Sequence, residues 1–267
     1  MRVSLVQFAA ALDADANLET ITRLVRQAVS TGGAAGGDRL VVLPECAMHD
    51  FGPPDLALGP VAQPVDGPYV TGLARLAREV DATIVSGMFE PSDDAGRPYN
   101  TLVVVSPSGR VLARYRKAHL YDSFGYRESD RLLAGDGAPV VVPVGGLAMG
   151  LLTCYDLRFP ELARALVDAG ADTLVVPAAW VRGPLKEDHW ATLLRARAIE
   201  NTTYVLGAGQ CGATYIGASI VVDPMGVVLA ELGSGEGVAS ALVDPVVIAE
   251  VRRRNPSLAN RRTPLVR

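Results

Sequence analysis

Cys154 lies where the sequence predicts a site for a nucleophile. It follows an apolar run at 150–152 and precedes Pro160 and a helix-patterned stretch, which predicts a buried strand that ends in a tight turn into a helix. Backbone N–H groups and the helix dipole at such a turn favour the thiolate, the nucleophilic form of cysteine. A single cysteine is more often a buried structural residue, so a catalytic interpretation requires partner groups elsewhere in the chain.

Glu45 and Lys117 have the residue types that such a nucleophile needs. Glu45 comes after the apolar strand pattern at 40–43, and Lys117 ends a strand pattern in the run ARYRK. A carboxylate beside a buried strand costs free energy unless it is solvated or paired, and ligands of α/β folds bind beyond the carboxyl ends of strands. Taken singly, each residue keeps a structural alternative: a capping glutamate, a surface lysine and a core cysteine.

The three residues together predict hydrolysis through a covalent cysteine intermediate. Cys154 would attack a carbonyl or nitrile carbon, and Glu45 would take the thiol proton, return it to the leaving amine and activate water. Lys117 would supply positive charge where the oxyanion develops, beside a backbone N–H such as that of Tyr155.

Strand and helix patterns alternate along the chain and must position these residues. Helix patterns cover 18–29, with Asn17 as a candidate N-cap, then 69–80, 189–201 and 246–254. The glycine-rich stretch 31–38 lacks the GK[ST] ending of a phosphate loop and is interpreted as a helix-to-strand connection. Several strand patterns are apolar without alternation, which is typical of strands buried on both faces and predicts a layered α/β sandwich. Without a repeat, linker or break in composition, residues 1–267 are expected to form one domain.

Composition excludes several other classes of protein. The chain has 267 residues, 25 basic against 29 acidic, and no basic block, which argues against nucleic-acid binding. No apolar run reaches membrane-spanning length, no signal-peptide core is seen, and an odd count of three cysteines is typical of free thiols, so a cytoplasmic protein is expected. Three histidines make catalytic zinc improbable. The run GAGQCG at 207–212 fits a dinucleotide fingerprint, but no helix pattern follows it.

The motifs LPEC around Glu45, RKAHLYD around Lys117 and CYDLRFPEL around Cys154 resemble those of the nitrilase (carbon–nitrogen hydrolase) superfamily. The runs PAAW, HWATLLRARAIEN, SIVVDPMGVVLAE and VRRRNPSLANRR extend the resemblance over nearly the whole chain. It implies a four-layer α-β-β-α sandwich with Glu45 as general base, Lys117 as oxyanion stabiliser and Cys154 as nucleophile. It also implies that Glu128 lies near the lysine and helps to position the substrate. The resemblance implies no metal and no organic cofactor, and a homodimer or higher homo-oligomer in which the C-terminal tail (about 250–267) packs on the partner.

Within the superfamily the motifs are most similar to the omega-amidase and deaminated-glutathione-amidase branch. That likeness implies hydrolysis of a small linear carboxamide to carboxylate and ammonia, with a small-molecule amide as the only partner besides other subunits. Hydrolysis of an N-carbamoyl amino acid by the same triad remains an alternative, followed by a nitrilase and by a catalytically silent scaffold. The loop VRGPLKED at 181–188 matches no known substrate pattern and leaves the substrate open.

Further residues are candidates for shaping the pocket. A substrate carboxylate requires a cation, for which Arg158 and Arg182 are candidates, although Arg158 has a structural alternative as an ion-pair partner of Glu161 or of a neighbouring carboxylate. Tyr155 and Trp180 are candidates for lining the pocket. Two residues close to the triad are assigned structural roles. His119 is predicted to make a structural hydrogen bond rather than face the pocket, and Cys46 to pack on the other side of the chain from Glu45.

Overall fold

The computed structural model describes residues 1–30 and 38–262. Within them lie five helices: α1 (Ala14–Ser30), α2 (Pro68–Val80), α3 (Pro160–Asp168), α4 (Lys186–Asn201) and α5 (Pro245–Arg254). The described strands are β1 (Arg2–Gln7), β2 (Arg39–Val42), β3 (Thr83–Glu90), β4 (Tyr99–Val105), β5 (Val111–Arg116), β6 (Asp122–Ser123), β7 (Tyr126–Arg127), β8 (Val141–Val144), β9 (Leu147–Leu151), β10 (Thr173–Ala178), β11 (Tyr204–Gly209), β12 (Ile220–Val222), β13 (Val228–Glu231) and β14 (Gly237–Leu242). Residues 31–37 of the predicted connection and 263–267 of the predicted tail lie outside the described residues.

Two six-stranded sheets form the centre of the molecule, with strand orders β14-β1-β2-β3-β4-β5 and β13-β12-β11-β10-β9-β8. In the first sheet β1, β2 and β3 run parallel, and in the second β9, β10 and β11 do. The outer strands pair antiparallel with their neighbours, as β14 does with β1, and they include the β4–β5 hairpin predicted from the sequence. The parallel strands therefore direct their carboxyl ends to one edge of each sheet, where α/β folds bind ligands.

The side chains of β1 show why the layers stack as they do. Val3 and Leu5 belong to the core that lies between the two sheets and extends to α3 and α4, whereas Val6 and Phe8 belong to the core under α1 and α2. Successive strand residues point to opposite faces, so both faces of this strand are buried. Burial of each such side chain contributes about 1.5–3 kcal/mol relative to exposure. The order helix, sheet, sheet, helix confirms the four-layer sandwich.

The start of α1 differs from the prediction. Asp13, not Asn17, lies at the N-terminus of the helix, because its Oδ1 accepts hydrogen bonds from the N–H groups of Asp15 (2.9 Å) and Ala16 (3.1 Å). Asn17 lies within the helix, where its side chain bonds to the backbone of Ala11. An aspartate and an asparagine cap equally well, so the sequence pattern alone did not distinguish the two positions.

Two further features bear on the excluded classes. The strand β11 is followed by the antiparallel β12 and not by a helix, so residues 207–212 do not form the strand-to-helix turn of a dinucleotide site. Among the described residues, no helix has the length and apolar character needed to span a bilayer.

Candidate active site

Cys154 begins a short 3-10 turn (Cys154–Arg158) that joins β9 to α3. Its φ of 48° lies in the left-handed region, which is uncommon for a residue with a side chain and is found preferentially at functional sites. Pro160 occupies the first turn of α3 as predicted, where its missing N–H leaves no helix bond unmade. The turn therefore holds the thiol between a buried strand and a helix.

Glu45 and Lys117 meet in the space between the two sheets. Lys117 Nζ lies 2.9 Å from Glu45 Oε1, and both side chains are at most 2 % exposed. Glu45 follows β2 and Lys117 follows β5, both in the first sheet, whereas Ala179 follows β10 in the second. The N–H of Ala179 donates to Glu45 Oε2 over 2.6 Å, so the carboxylate contacts both sheets.

Glu128 and Asn100 complete the polar contacts around the lysine. Both oxygens of Glu128 lie 2.9 Å from Lys117 Nζ, which is the position that the family resemblance implied. Asn100 Nδ2 donates to Glu45 Oε1 over 2.7 Å, a contact that the sequence analysis missed. Its signal was a polar residue at the start of a strand that continues as the apolar run LVVV, and the structure buries it fully.

The charges of this cluster determine its protonation. Burial acts to lower the pKa of Lys117, but Glu128 and Glu45 outweigh it and raise the pKa well above its ordinary value, so the ammonium stays charged. Burial raises the pKa of Glu128, and Lys117 opposes that rise. One cation thus lies between two buried carboxyl groups.

The protonation of Cys154 differs from the expectation of a thiolate favoured by the helix terminus. Burial raises the pKa of the thiol well above its ordinary value, and the neighbouring Glu45 carboxylate raises it further, while Lys117 opposes the rise. Desolvation and a nearby negative charge outweigh the partial charges of a helix end. The helix terminus therefore does not by itself favour a thiolate in the free protein, which agrees with the predicted need for a base that takes the thiol proton.

A cavity of about 760 Å³ opens onto the three residues. Its wall includes Glu45, Lys117 and Cys154 together with all five residues predicted to bind or position a substrate, namely Glu128, Tyr155, Arg158, Trp180 and Arg182. Trp180 is only 4 % exposed and its indole N–H donates to the carbonyl oxygen of Lys186, so it belongs both to the cavity wall and to the core.

Lys186 is a cavity residue that the sequence analysis missed. Its ammonium lies 3.2 Å from the hydroxyl of Tyr121 and 4.6 Å from the centre of the Phe124 ring. Burial lowers its pKa, and the positive charge of Arg158 lowers it further. The sequence analysis placed this lysine in the loop before the helix pattern at 189–201, whereas the structure begins α4 at Lys186, and charged residues there are typical of a solvated segment.

The two arginines predicted near a substrate carboxylate differ in their contacts. Arg158 lies 4.9 Å over the Trp180 ring and makes no ion pair with Glu161 within the described part of the chain, so the structural alternative was wrong. Arg182 lines the same cavity but is paired with Glu187 at 3.6 Å.

His119 and Cys46 have the structural placements that were predicted for them. His119 Nδ1 lies 2.7 Å from Asp156 Oδ1, and the ring stacks on Phe159 with 3.7 Å between ring centres. Cys46 is buried in the core under α1 and α2, on the opposite side of the first sheet from Cys154.

Comparison with known proteins adds independent information. The family model for carbon-nitrogen hydrolase matches residues 2–253. The chain is 42 % identical over 263 residues to the deaminated glutathione amidase of Escherichia coli O157:H7, covering 98 % of this chain and 97 % of that protein.

Solved structures agree in fold. Saccharomyces cerevisiae Nit3, described as a member of branch 10 of the nitrilase superfamily, is similar with a TM-score of 0.86 and 29 % identity, covering 98 % of this chain and 97 % of that one. A Glu-to-Gln mutant of the amidase from Nesterenkonia sp. AN1, with the acetamide moiety of fluoroacetamide added at the active site cysteine, has a TM-score of 0.78 and 28 % identity, covering 97 % and 96 % of the two chains.

Proposed function

The chain belongs to the carbon–nitrogen hydrolase family, and on that premise we propose that it cleaves the C–N bond of a small linear carboxamide through a thioester on Cys154. The observation that carries the proposal is the contact of Lys117 Nζ with Glu45 Oε1 at 2.9 Å, beside a cavity that also receives the cysteine. A base, a fixed cation and a nucleophile then share one buried space, which is what acyl transfer requires.

The first half of the reaction follows from the protonation states. Glu45 takes the proton of the Cys154 thiol as the sulfur attacks the amide carbon, because burial leaves the free thiol protonated. The carbonyl oxygen becomes an oxyanion, and the Lys117 ammonium stabilises that negative charge. The C–N bond then breaks, and Glu45 returns the proton to the nitrogen, which leaves as ammonia.

The second half uses the same groups in reverse order. Glu45 removes a proton from water, and the resulting hydroxide attacks the thioester carbon. Lys117 again stabilises the oxyanion, the C–S bond breaks, and the thiol regains its proton. Glu128 and Asn100 hold the lysine and the glutamate in place through both halves by the hydrogen bonds described above.

The acyl side of the substrate carries a carboxylate in this proposal. Lys186 is 7 % exposed, and neither it nor Arg158 has a carboxylate within ion-pair distance among the described residues, although both line the cavity. Two neighbouring cations without a counterion are costly unless a ligand supplies the negative charge. The Escherichia coli relative is named for deaminated glutathione, a molecule with carboxylates, which supports the same substrate class.

The test is a panel of ω-amides, N-carbamoyl amino acids and nitriles, scored by release of ammonia. We expect turnover of an ω-amide that bears a distal carboxylate and much weaker turnover of its methyl ester. Release of carbon dioxide together with ammonia from a carbamoyl compound would instead identify an N-carbamoyl hydrolase. Absence of ammonia from every amide would contradict the proposal.

A matched pair of variants tests the carboxylate contact. In Lys186→Met the KM for the carboxylate substrate should rise about 10- to 100-fold, since a charge-assisted hydrogen bond contributes roughly 1.5–3 kcal/mol. The KM for the methyl ester should stay within about twofold. Arg182→Met should have the smaller effect, because Glu187 already neutralises that arginine. An equal loss for both substrates in Lys186→Met would argue against a carboxylate contact.

A further inference from the structure

The buried carboxylate of Asp156 receives four hydrogen bonds from two parts of the chain. Oδ1 accepts from the backbone N–H of His119 at 2.9 Å and lies 2.7 Å from His119 Nδ1. Oδ2 accepts from the hydroxyl of Tyr115 at 2.6 Å and from the backbone N–H of Thr153 at 2.9 Å. Asp156 is fully buried and is absent from the cavity wall, so it does not contact a bound substrate.

The residues that donate these hydrogen bonds flank two members of the triad in the sequence. Tyr115 and His119 lie two residues before and two residues after Lys117, and Thr153 directly precedes Cys154. The lysine follows a strand of the first sheet, whereas the cysteine follows a strand of the second. One carboxylate therefore connects both flanks of the lysine to the turn that carries the nucleophile.

We propose that Asp156 is a positioning residue that sets the distance between the Lys117 ammonium and the Cys154 sulfur. The inference rests on the proposed function for the roles of those two groups, but its geometric content does not depend on the substrate. Oxyanion stabilisation requires the cation within about 3 Å of the developing charge, and a displacement of about 1 Å can lower a rate about 100-fold.

Asp156→Asn is the sharpest perturbation because it preserves shape. One carboxylate oxygen accepts the N–H of His119 and the other accepts the N–H of Thr153, and neither backbone donor can reverse its role. An asparagine presents an NH₂ group to one of them in either orientation. The variant therefore separates the lysine side from the cysteine side while it leaves the residues of the cavity wall unchanged.

The first readout is turnover per titrated active site. We expect kcat of Asp156→Asn to fall about 10- to 100-fold with KM within about threefold, because the acyl pocket is untouched. Asp172→Asn is the matched control, since Asp172 is a half-buried aspartate that also accepts a backbone N–H, from Ala148 at 3.0 Å, far along the second sheet from the cysteine turn. Both of its side-chain hydrogen bonds are accepted by Oδ1, which an asparagine retains, so Asp172→Asn should leave kcat per site unchanged. An unchanged kcat in folded Asp156→Asn would overturn the proposal.

The second readout needs no substrate. The rate of alkylation of Cys154 by iodoacetamide at pH 8 depends on the nearby base and cation, so it should fall about tenfold in Asp156→Asn and stay unchanged in Asp172→Asn. Slower alkylation in a chain whose wild type hydrolyses no amide would support the positioning role and refute the proposed function. If the wild type is active and Asp156→Asn has the same alkylation rate and the same kcat as the wild type, the positioning role is refuted and the proposed function stands.

Tyr115→Phe covers the case in which Asp156→Asn does not fold. It keeps the ring in the core and removes the donor to Asp156 Oδ2, together with a longer hydrogen bond of 3.2 Å that the hydroxyl accepts from the N–H of Ala118. Its alkylation rate and kcat should both fall about three- to tenfold. Where Asp156→Asn does fold, the double variant should fall no further than Asp156→Asn alone, since both act on one carboxylate. Wild-type values for both rates in folded Tyr115→Phe would overturn the proposal.

Discussion

Replacement of Lys117 by methionine tests the charge balance of the site more sharply than it tests catalysis. The ammonium is the shared partner of two buried carboxyl groups, with 2.9 Å to Glu45 and 2.9 Å to Glu128. Removing one partner of a buried ion pair costs about 3–5 kcal/mol, because the remaining charge is left without compensation. For a chain of this size we therefore expect Lys117→Met to lower Tm by roughly 6–20 °C.

The double variant Lys117→Met with Glu128→Gln should recover a large part of that loss. Burial already raises the pKa of Glu128, and in the single variant the opposing cation is gone. Removing that carboxylate leaves Glu45 with its hydrogen bonds from Asn100 and Ala179. The double variant should be more stable than the single one by about 2 kcal/mol, although we expect neither to turn over an amide.

The pH dependence of the stability of Lys117→Met tests whether the uncompensated Glu128 carboxylate causes the loss. A carboxyl group whose pKa in the folded state is raised above its unfolded value destabilises the protein as pH rises between the two values, and costs nothing below both. The stability deficit of Lys117→Met relative to wild type should therefore be smaller at pH 5 than at pH 7.5. Urea unfolding at both pH values, with Glu128→Gln alone as control, measures these differences.

Two results would refute the reasoning about this charge cluster. One is a Lys117→Met protein within about 1 kcal/mol of wild type at pH 7.5, since a buried pair would then carry no penalty when broken. The other is a double variant that is less stable than Lys117→Met, since the carboxylate of Glu128 would then stabilise the fold without its cation.

The remaining predictions concern residues around the triad and at the edge of the first sheet. Gly87→Ala should lower the free energy of unfolding by about 1–3 kcal/mol and kcat severalfold, because the added Cβ would lie 2.8 Å from Glu45 Cα. Urea unfolding and steady-state kinetics measure the two effects, and wild-type values for both would refute this close approach. Asn100→Leu should lower kcat about tenfold by removing a donor to Glu45, with an unchanged kcat as the contrary result. Burial acts to raise the pKa of Glu90, but hydrogen bonds from Arg116 and Thr101 outweigh burial and lower the pKa below its ordinary value. The ionised Glu90 therefore stabilises the fold at neutral pH, and this stabilisation is lost as pH falls below about 4.3. Glu90→Gln should therefore flatten the loss of stability in acid, and an unchanged slope of unfolding free energy against pH would contradict this.

The layered fold was predictable because the pattern of apolar residues along a strand indicates which of its faces are buried. Apolar runs without alternation predicted strands covered on both faces, and β10 is such a strand, with all six residues buried. The place where Glu45, Lys117 and Cys154 meet was not predictable from spacing, because they follow strands of two different sheets. Motif resemblance placed them together, and the packing of the sheets gives the physical reason.

The position of Lys186 and the pKa of Cys154 were not predictable, because they depend on the direction of a turn and on desolvation. Lys186 is the first residue of α4 and follows Leu185 with a φ of 59°, and that bend sets where the helix begins. A pattern of residue types carries no information on which way such a turn points. The raised pKa of Cys154 was not predictable for a related reason, since the sequence indicates a helix terminus but not the burial and the neighbouring carboxylate that outweigh it.

The central claim is that Cys154 carries the acyl group during turnover. The most direct measurement is peptide mapping by mass spectrometry of Glu45→Gln after reaction at about pH 9 with an activated ester of a carboxylate-bearing substrate. The ester needs no proton for its leaving group, and the variant lacks both the base for thioester hydrolysis and the negative charge that raises the pKa of the Cys154 thiol, so the thiolate forms at this pH without a protein base. We predict one acyl group per chain, located on Cys154. An acyl group on Cys46, on Cys211 or on no residue at all would contradict the mechanism.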